Sequence, residues 1–380
     1  MRRTVCGVIR ISSSATILPA DAASPAGESP ALEAAVAPAS PAAGVKAHAK
    51  RIVGYDLVRA FAAVGVIWVH AGRSPFWREH GLSTAGSWGT AFLNTLAAFF
   101  VVYTLRDVTV KGTWKFAVHR VFRLYGSFLL WSLIYVGARV VNYLLFHRVT
   151  AMEWSWDPKR MAVYAFFGTT YHLWFLPYLL LITLITLPVV AYACGTRERT
   201  LVGACFFALA AVAVLIAPEP VGIHGQEPLR VALAQMYFRS AGFFTGLAIG
   251  LWMRAGFRPA ITFMQAMAAA GVLVLCVYTA LTTELPRHIV HRVGATAAFV
   301  FALAPWDGPL ARTIGRLGQL GFGVYLCHVL FVEAFLALAA RLYGPATFAT
   351  DLAVFGASVV CSFALAWGMR TTKWLAWAIP

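Results

Sequence analysis

From residue 52 onward the chain is a succession of apolar stretches separated by short polar breaks. All but the eighth reach the roughly 17–25 residues a helix needs to cross about 30 Å of hydrocarbon at about 1.5 Å per residue. They fall at 52–70, 88–105, 124–146, 170–194, 200–217, 230–252, 259–281, 290–305, 318–340 and 351–369, the eighth being the shortest. Backbone N–H and C=O groups cannot be left unpaired in hydrocarbon, so segments of this kind span a bilayer as helices. The expected fold is all-α, a polytopic integral membrane protein built as a bundle of about ten transmembrane helices. Composition agrees: 60% of the residues are hydrophobic and 12% are charged, against about 25% charged in soluble domains.

Residues 1–50 are a different material, rich in Ala, Pro and Ser. They hold too few large apolar groups to offset the entropy of ordering, so a disordered cytoplasmic tail is expected there, with the membrane domain over 51–380. Arg2 and Arg3 resemble the start of a signal peptide, but Arg10 and the Ser12 to Ser14 run interrupt the apolar stretch such a peptide needs.

The net charge of +16 does not point to nucleic acid, because Lys and Arg sit in short clusters between apolar runs, with no basic helix or aromatic-interleaved patch. They read as topology determinants. With the amino terminus inside, 19 of the 31 basic residues fall on the inner side and 9 on the outer, while Arg59, Arg139 and Arg239 lie within helices. Because cytoplasmic loops carry the excess, both termini are expected in the cytoplasm of a cell with the protein in its inner membrane. The six cysteines show no CxxC spacing and five lie in apolar runs, so neither a metal site nor a disulfide framework is expected.

An ionisable side chain inside a membrane helix costs several kcal/mol, roughly, unless it is paired or hydrated, which makes each one a functional candidate. The first span has three. Asp56 and Arg59 are three apart and neighbours on the helix surface. Arg59 and His70 are eleven apart, which returns to the same face within about 20° after roughly 16 Å of rise. A stripe with a cation at the cytoplasmic end and an imidazole at the outer end suits a long anionic donor such as coenzyme A, whose thioester would reach the imidazole. His70 would take the proton of an attacking hydroxyl. On spacing alone, a structural Asp56–Arg59 pair and an interfacial His70 explain the stripe equally well.

The pattern Tyr55-Asp56-x-x-Arg59 followed by ten residues and His70 resembles the membrane-bound acyltransferase 3 family, which decorates surface polysaccharides, lipopolysaccharide and related glycans. Further similar stretches follow in order: Phe99 to Val102, Arg120-Val-Phe-Arg123 before the third span, His172-Leu-Trp-Phe-Leu176, and Gly321 to His328. Together they run from about 52 to 369. The resemblance implies that His70 is catalytic with Arg59 as its motif partner, and that Arg120 and Arg123 hold the coenzyme at the cytoplasmic face. Two guanidiniums three apart can fork onto phosphate, although the positive-inside rule would also place Arg there. One departure stands out, since the family's Ser-Gly pair after the Phe-Phe-Val stretch is replaced by Tyr103 and Thr104. That replacement bears on the size of the acyl pocket.

His172, beside Trp174, is placed at the outer end of the fourth span, level with His70, where it could orient a substrate or simply belong to the interfacial belt. Tyr325 and His328 share a face of the ninth span, while Glu333 is turned about 140° from His328. Both are expected to find partners on neighbouring helices, in a functional or a structural role. Outer loops carrying Arg73, Arg78, Glu79, His80, Trp88 and residues 153–157 offer a platform for a sugar, and anchoring of Trp at the membrane interface explains the same residues about as well. The leading expectation is an O-acyltransferase, O-acetyl by preference, with acetyl-CoA or another acyl-CoA as donor and a glycan or lipid-linked saccharide as acceptor. The alternative is a transporter or flippase, whose polar path the same residues would line.

Overall fold

The computed structural model describes residues 52–146, 172–217, 228–257, 259–283, 285, 287–372 and 375–379. The tail read in the sequence and the 153–157 loop lie outside them. The described residues form twelve helices: α1 (Val53–Ala71), α2 (Pro75–Glu79), α3 (Trp88–Thr104), α4 (Val110–Phe146), α5 (Phe175–Ala193), α6 (Arg197–Ile216), α7 (Pro228–Arg254), α8 (Phe263–Thr282), α9 (Arg287–Ala302), α10 (Pro309–Gly318), α11 (Gly321–Tyr343) and α12 (Phe348–Thr371). Short 3₁₀ turns occupy Leu82–Gly86 and Ala376–Ala378, and no strand occurs among the described residues.

Eight of these segments are long and apolar enough to cross a membrane, and α7 and α9 supply the counterparts of the other two apolar stretches. The apolar part of α9, Ile289–Ala302, is shorter than a full span. The helices are apolar on both faces. In α6, Ala204, Phe207 and Ala211 are buried while Val202, Phe206 and Leu209 are exposed; in α8, Ala266 and Ala269 are buried while Met264, Val274 and Tyr278 are exposed. A helix apolar all round is stable at the surface of a bundle only when the surrounding medium is hydrocarbon. The chain is a multi-pass, all-α membrane protein.

Helix α1 is the axis of the arrangement, packing on α3, α9, α10, α11 and α12. Its buried residues include Gly54, Ala60, Ala62, Ala63 and Ala71, small side chains of the kind that let membrane helices approach closely. The closest approach is at Gly318, the last residue of α10, where an added Cβ would overlap the carbonyl oxygen of Asp56. The α10–α11 junction is therefore pressed onto the Asp56–Arg59 turn. A second layer is made by α3 on α7 and α7 on α6, with α8 packed on α9.

Two features differ from the expectation. The third span begins at Val110 rather than 124 and runs 37 residues, about 55 Å at 1.5 Å per residue, far more than the roughly 30 Å of hydrocarbon. Its start is built locally. Asp107 Oδ1 accepts from Thr109 N at 3.0 Å and from Thr109 Oγ1 at 2.6 Å, Gly112 N donates to Thr109 Oγ1 at 3.1 Å, and the Thr109 hydrogen bonds hold the Asp107 carboxyl below its usual range. Hence Arg120 and Arg123 lie within a helix rather than before one. The second feature is α10, an amphipathic helix where the sequence shows only a polar break between two apolar stretches. Leu310 and Leu317 are exposed on it, while Gly315 and Gly318 are buried against α1.

Candidate active site

The stripe on α1 starts with an ion pair, Arg59 Nη1 to Asp56 Oδ1 at 3.1 Å. The guanidinium lies over the Phe100 ring of α3 at 5.6 Å, and the aliphatic stem lies against Gly321, where an added Cβ would come within 2.8 Å of Arg59 Cγ. Three turns further along, the His70 ring stands against His328 of α11, with centroids 5.5 Å apart and planes 28° from parallel. Arg59 and His70 thus face the same neighbour, α11, at two depths, and both are half-buried in the bundle.

A third imidazole completes the group. His172, in the turn entering α5, lies 5.1 Å from His328 with its plane at 69°, and it is buried. Backbone carbonyls hold the cluster. Tyr325 Oη donates to His172 O at 2.5 Å, Tyr135 Oη of α4 donates to Leu326 O at 2.8 Å, and His172 Nε2 lies 3.3 Å from the same Leu326 O. His328 Nδ1 is 2.7 Å from Tyr325 O. A carbonyl only accepts, so Nδ1 carries the hydrogen, and in the neutral ring Nε2 carries the lone pair. The His328 ring is wholly buried, and its Nε2 has no hydrogen-bond partner among the described residues. A buried nitrogen left without a partner costs about 1–3 kcal/mol, a penalty that a ligand hydroxyl donating to it would relieve.

A family model described as an acyltransferase domain matches residues 52–367. The chain belongs to the acyltransferase 3 family. No curated protein and no solved structure matches it. The protein is a membrane acyltransferase, and its helical core is the transferase domain.

In this acyltransferase the structure brings His70, His172, Tyr325 and His328 together, from α1, the entry to α5, and α11. Trp174 belongs to the same turn as His172 but faces α7, where the Arg239 guanidinium sits 4.5 Å above its ring. Glu333 stays outside the imidazole group. It is exposed, and its electrostatic neighbours are Arg139 of α4 and Arg73. On α4, Arg120 lies over the Phe116 ring at 5.1 Å and Arg123 is exposed; neither has a carboxylate partner among the described residues. Arg123 precedes Tyr135 by twelve residues, about 18 Å along the helix, so α4 connects a cationic end to the imidazole end.

The departure on α3 has a defined geometry. Phe99, Val101 and Val102 are buried, and Tyr103 stacks on Phe99 at 5.6 Å with planes 21° apart. The Thr104 hydroxyl donates to Phe100 O of its own helix at 2.5 Å. Both side chains are thus committed to α3 itself. Trp88, read in the sequence as an outer-loop residue, is the first residue of α3. Among the described residues no group of three His, Cys, Asp or Glu side chains is arranged to hold a metal ion.

Three residues of the site were not singled out in the sequence. Tyr135 looks like any other aromatic of an apolar span. Arg239 carries the signal of a charge inside a span, which by itself does not show that it packs on Trp174. Asp351 carried the same kind of signal at the start of the last span: it is buried, and its two oxygens accept from Arg73 N and Ser74 N at 2.9 Å each.

Proposed function

We propose that this acyltransferase is an inner-membrane O-acyltransferase, moving an acetyl group from cytoplasmic acetyl-CoA to a hydroxyl of an exported glycan or lipid-linked saccharide, with both termini in the cytoplasm. The observation that carries the reading is the stacking of His70 on His328 at the end of α1 remote from Arg59. It supplies a base inside the bundle, about 16 Å from a cation that faces the same helix. Arg120 and Arg123, with no carboxylate partner among the described residues, suit the phosphates of the donor, since guanidinium forks bind phosphate bidentately. Arg59, held by Asp56, lines the route between. His172 and Tyr325 border the reacting end, Trp174 backs it from the α7 side, and Glu333 with its arginine neighbours stands beyond it as a polar contact for the acceptor.

In the transfer, His70 takes the acceptor's hydroxyl proton as the oxygen attacks the thioester carbon. The C–O bond forms, the C–S bond breaks, and the departing sulfur takes the proton back from His70. Nothing else is consumed. The test is mass analysis of surface glycans from cells carrying the wild-type protein, His70→Ala or no protein. A mass gain of one acyl group, present only with the wild type, identifies acceptor and acyl group together. Full glycan acylation by His70→Ala, at equal protein in the membrane, sinks the assignment.

A further inference from the structure

We propose that Asp351 is a positioning residue of this reaction: by holding the backbone just past His70 it fixes the end of α1, and with it the imidazole, against His328. The inference rests on the acyl-transfer reading for its catalytic consequence, but the clamp itself is a structural fact with its own readout.

Asp351 lies in the first turn of α12 and is 1% exposed. An acid there would ordinarily serve its own helix N-terminus, yet α12 is already capped by Thr347 and Thr350, which form a reciprocal capping box. Both carboxylate oxygens go elsewhere. Oδ1 accepts from Arg73 N and Oδ2 from Ser74 N, across 278 and 277 residues of sequence. Burying a carboxylate is unfavourable unless hydrogen bonds compensate, and here two charge-assisted bonds to backbone N–H do so.

What the clamp holds is the exit from α1. Ser74 Oγ accepts from Trp77 N at 3.2 Å, starting α2. The buried Trp77 indole fills the space in front of Gly72, where an added Cβ would overlap the ring. Trp77 in turn lies 4.3 Å from Trp68, and Trp68 meets Phe355, one turn past Asp351 on α12, at 5.0 Å. Helix α12 therefore grips α1 two residues before His70, through Trp68, and three and four residues after it, through Arg73 and Ser74. His70 is bracketed. Its ring position relative to His328 on α11 depends on that grip, and α11 and α12 are themselves packed together.

The test compares Asp351→Asn and Asp351→Ala with wild type in purified protein, measuring kcat, KM for acetyl-CoA, and hydrogen exchange of peptides covering residues 71–78. The expected result is faster exchange confined to that segment, a fall in kcat of about ten- to a hundredfold, the loss that displacing a catalytic group by about 1 Å produces, and KM for acetyl-CoA within about twofold. Asn, which retains one acceptor oxygen, should fall between Ala and wild type. A second pair removes the donor instead. Ser74 has φ of −63°, which proline can adopt, so Ser74→Pro deletes the N–H while leaving Asp351 in place, and Ser74→Ala, which loses only the cap to Trp77, is its control. The Pro variant should lose more activity than the Ala variant. Unchanged exchange at 71–78 in Asp351→Asn overturns the clamp. Faster exchange with unchanged kcat overturns its catalytic role. Equal activity of Ser74→Pro and Ser74→Ala does the same, and decides the matter should the Asp351 variants exchange rapidly throughout the chain. A wild-type protein that transfers no acyl group fails the functional reading instead, leaving the exchange result intact.

Discussion

The rings of His70 and His328 lie nearly parallel, 28° apart in plane and 5.5 Å apart in centroid, which fixes the depth at which α1 and α11 meet. His328 is held by its Nδ1–H to the carbonyl of Tyr325, and its other nitrogen is buried without a partner among the described residues. If that nitrogen serves His70 during proton transfer, replacing the ring by one of similar size without nitrogens separates chemistry from packing. His328→Phe preserves a flat ring against His70. We expect kcat to fall by about 10²-fold or more, the usual contribution of a positioned base, with KM for acetyl-CoA unchanged. Wild-type turnover by this variant would reduce His328 to a packing residue.

The span pattern was legible because hydrocarbon leaves a chain so little choice. About twenty apolar residues and internal backbone pairing are required, and all ten apolar stretches have a helix. What the sequence hid has a physical reason in each case. The first turns of α4 mix Lys111, Trp114 and Lys115 and so lack the apolar signal of a span, and α10 is too short and too one-sided to show one. The imidazole group is assembled from residues 70, 172 and 328, so its meeting is a property of helix packing, which no local period encodes. Asp351 and its partners are likewise distant in sequence. The pairing of Asp56 with Arg59 was readable, being local to one helix turn.

The two arginines of α4 are not equivalent. Arg123 is exposed, whereas Arg120 rests on Phe116 and is partly withdrawn. A charge-assisted hydrogen bond to phosphate contributes about 1.5–3 kcal/mol, so Arg123→Ala should raise KM for acetyl-CoA by roughly ten- to a hundredfold with kcat retained at saturation. Arg120→Ala should add a loss of packing on Phe116. Initial-rate kinetics in detergent separates these outcomes, and a KM insensitive to both changes removes the pair from the donor site.

Tyr103 narrows the end of α3. Its ring stacks on Phe99 and meets Phe100 edge-on at 6.1 Å, and Phe100 in turn carries the Arg59 guanidinium. Replacing Tyr103 by Ser and Thr104 by Gly removes that bulk next to the route from Arg59. Because Arg59 stands about 16 Å short of the imidazole end where the thioester reacts, that bulk borders the coenzyme arm and not the acyl group: the double variant should shift KM for acetyl-CoA by several-fold while leaving the preference between acetyl-CoA and butyryl-CoA unchanged. A changed acyl preference brings the acyl group to α3 and overturns this placement.

The junction of α10 and α11 tests whether the stripe on α1 depends on close packing. At Gly318 an added Cβ meets the backbone carbonyl of Asp56, which cannot swing aside as a side chain can; at Gly321 it meets Arg59 Cγ at 2.8 Å, part of a flexible stem. Gly271 in α8 has nothing within 4 Å of such an atom. Gly318→Ala should therefore destabilise by about 1–3 kcal/mol, the range for overpacking, and Gly321→Ala by less. Gly271→Ala should be neutral or stabilising by up to about 1 kcal/mol, as expected for an unobstructed helical site. Thermal unfolding in one detergent ranks the three variants. Should Gly318→Ala and Gly271→Ala melt together, the contact between α10 and the Asp56 turn is looser than its geometry states, and the support it gives to Arg59 falls with it.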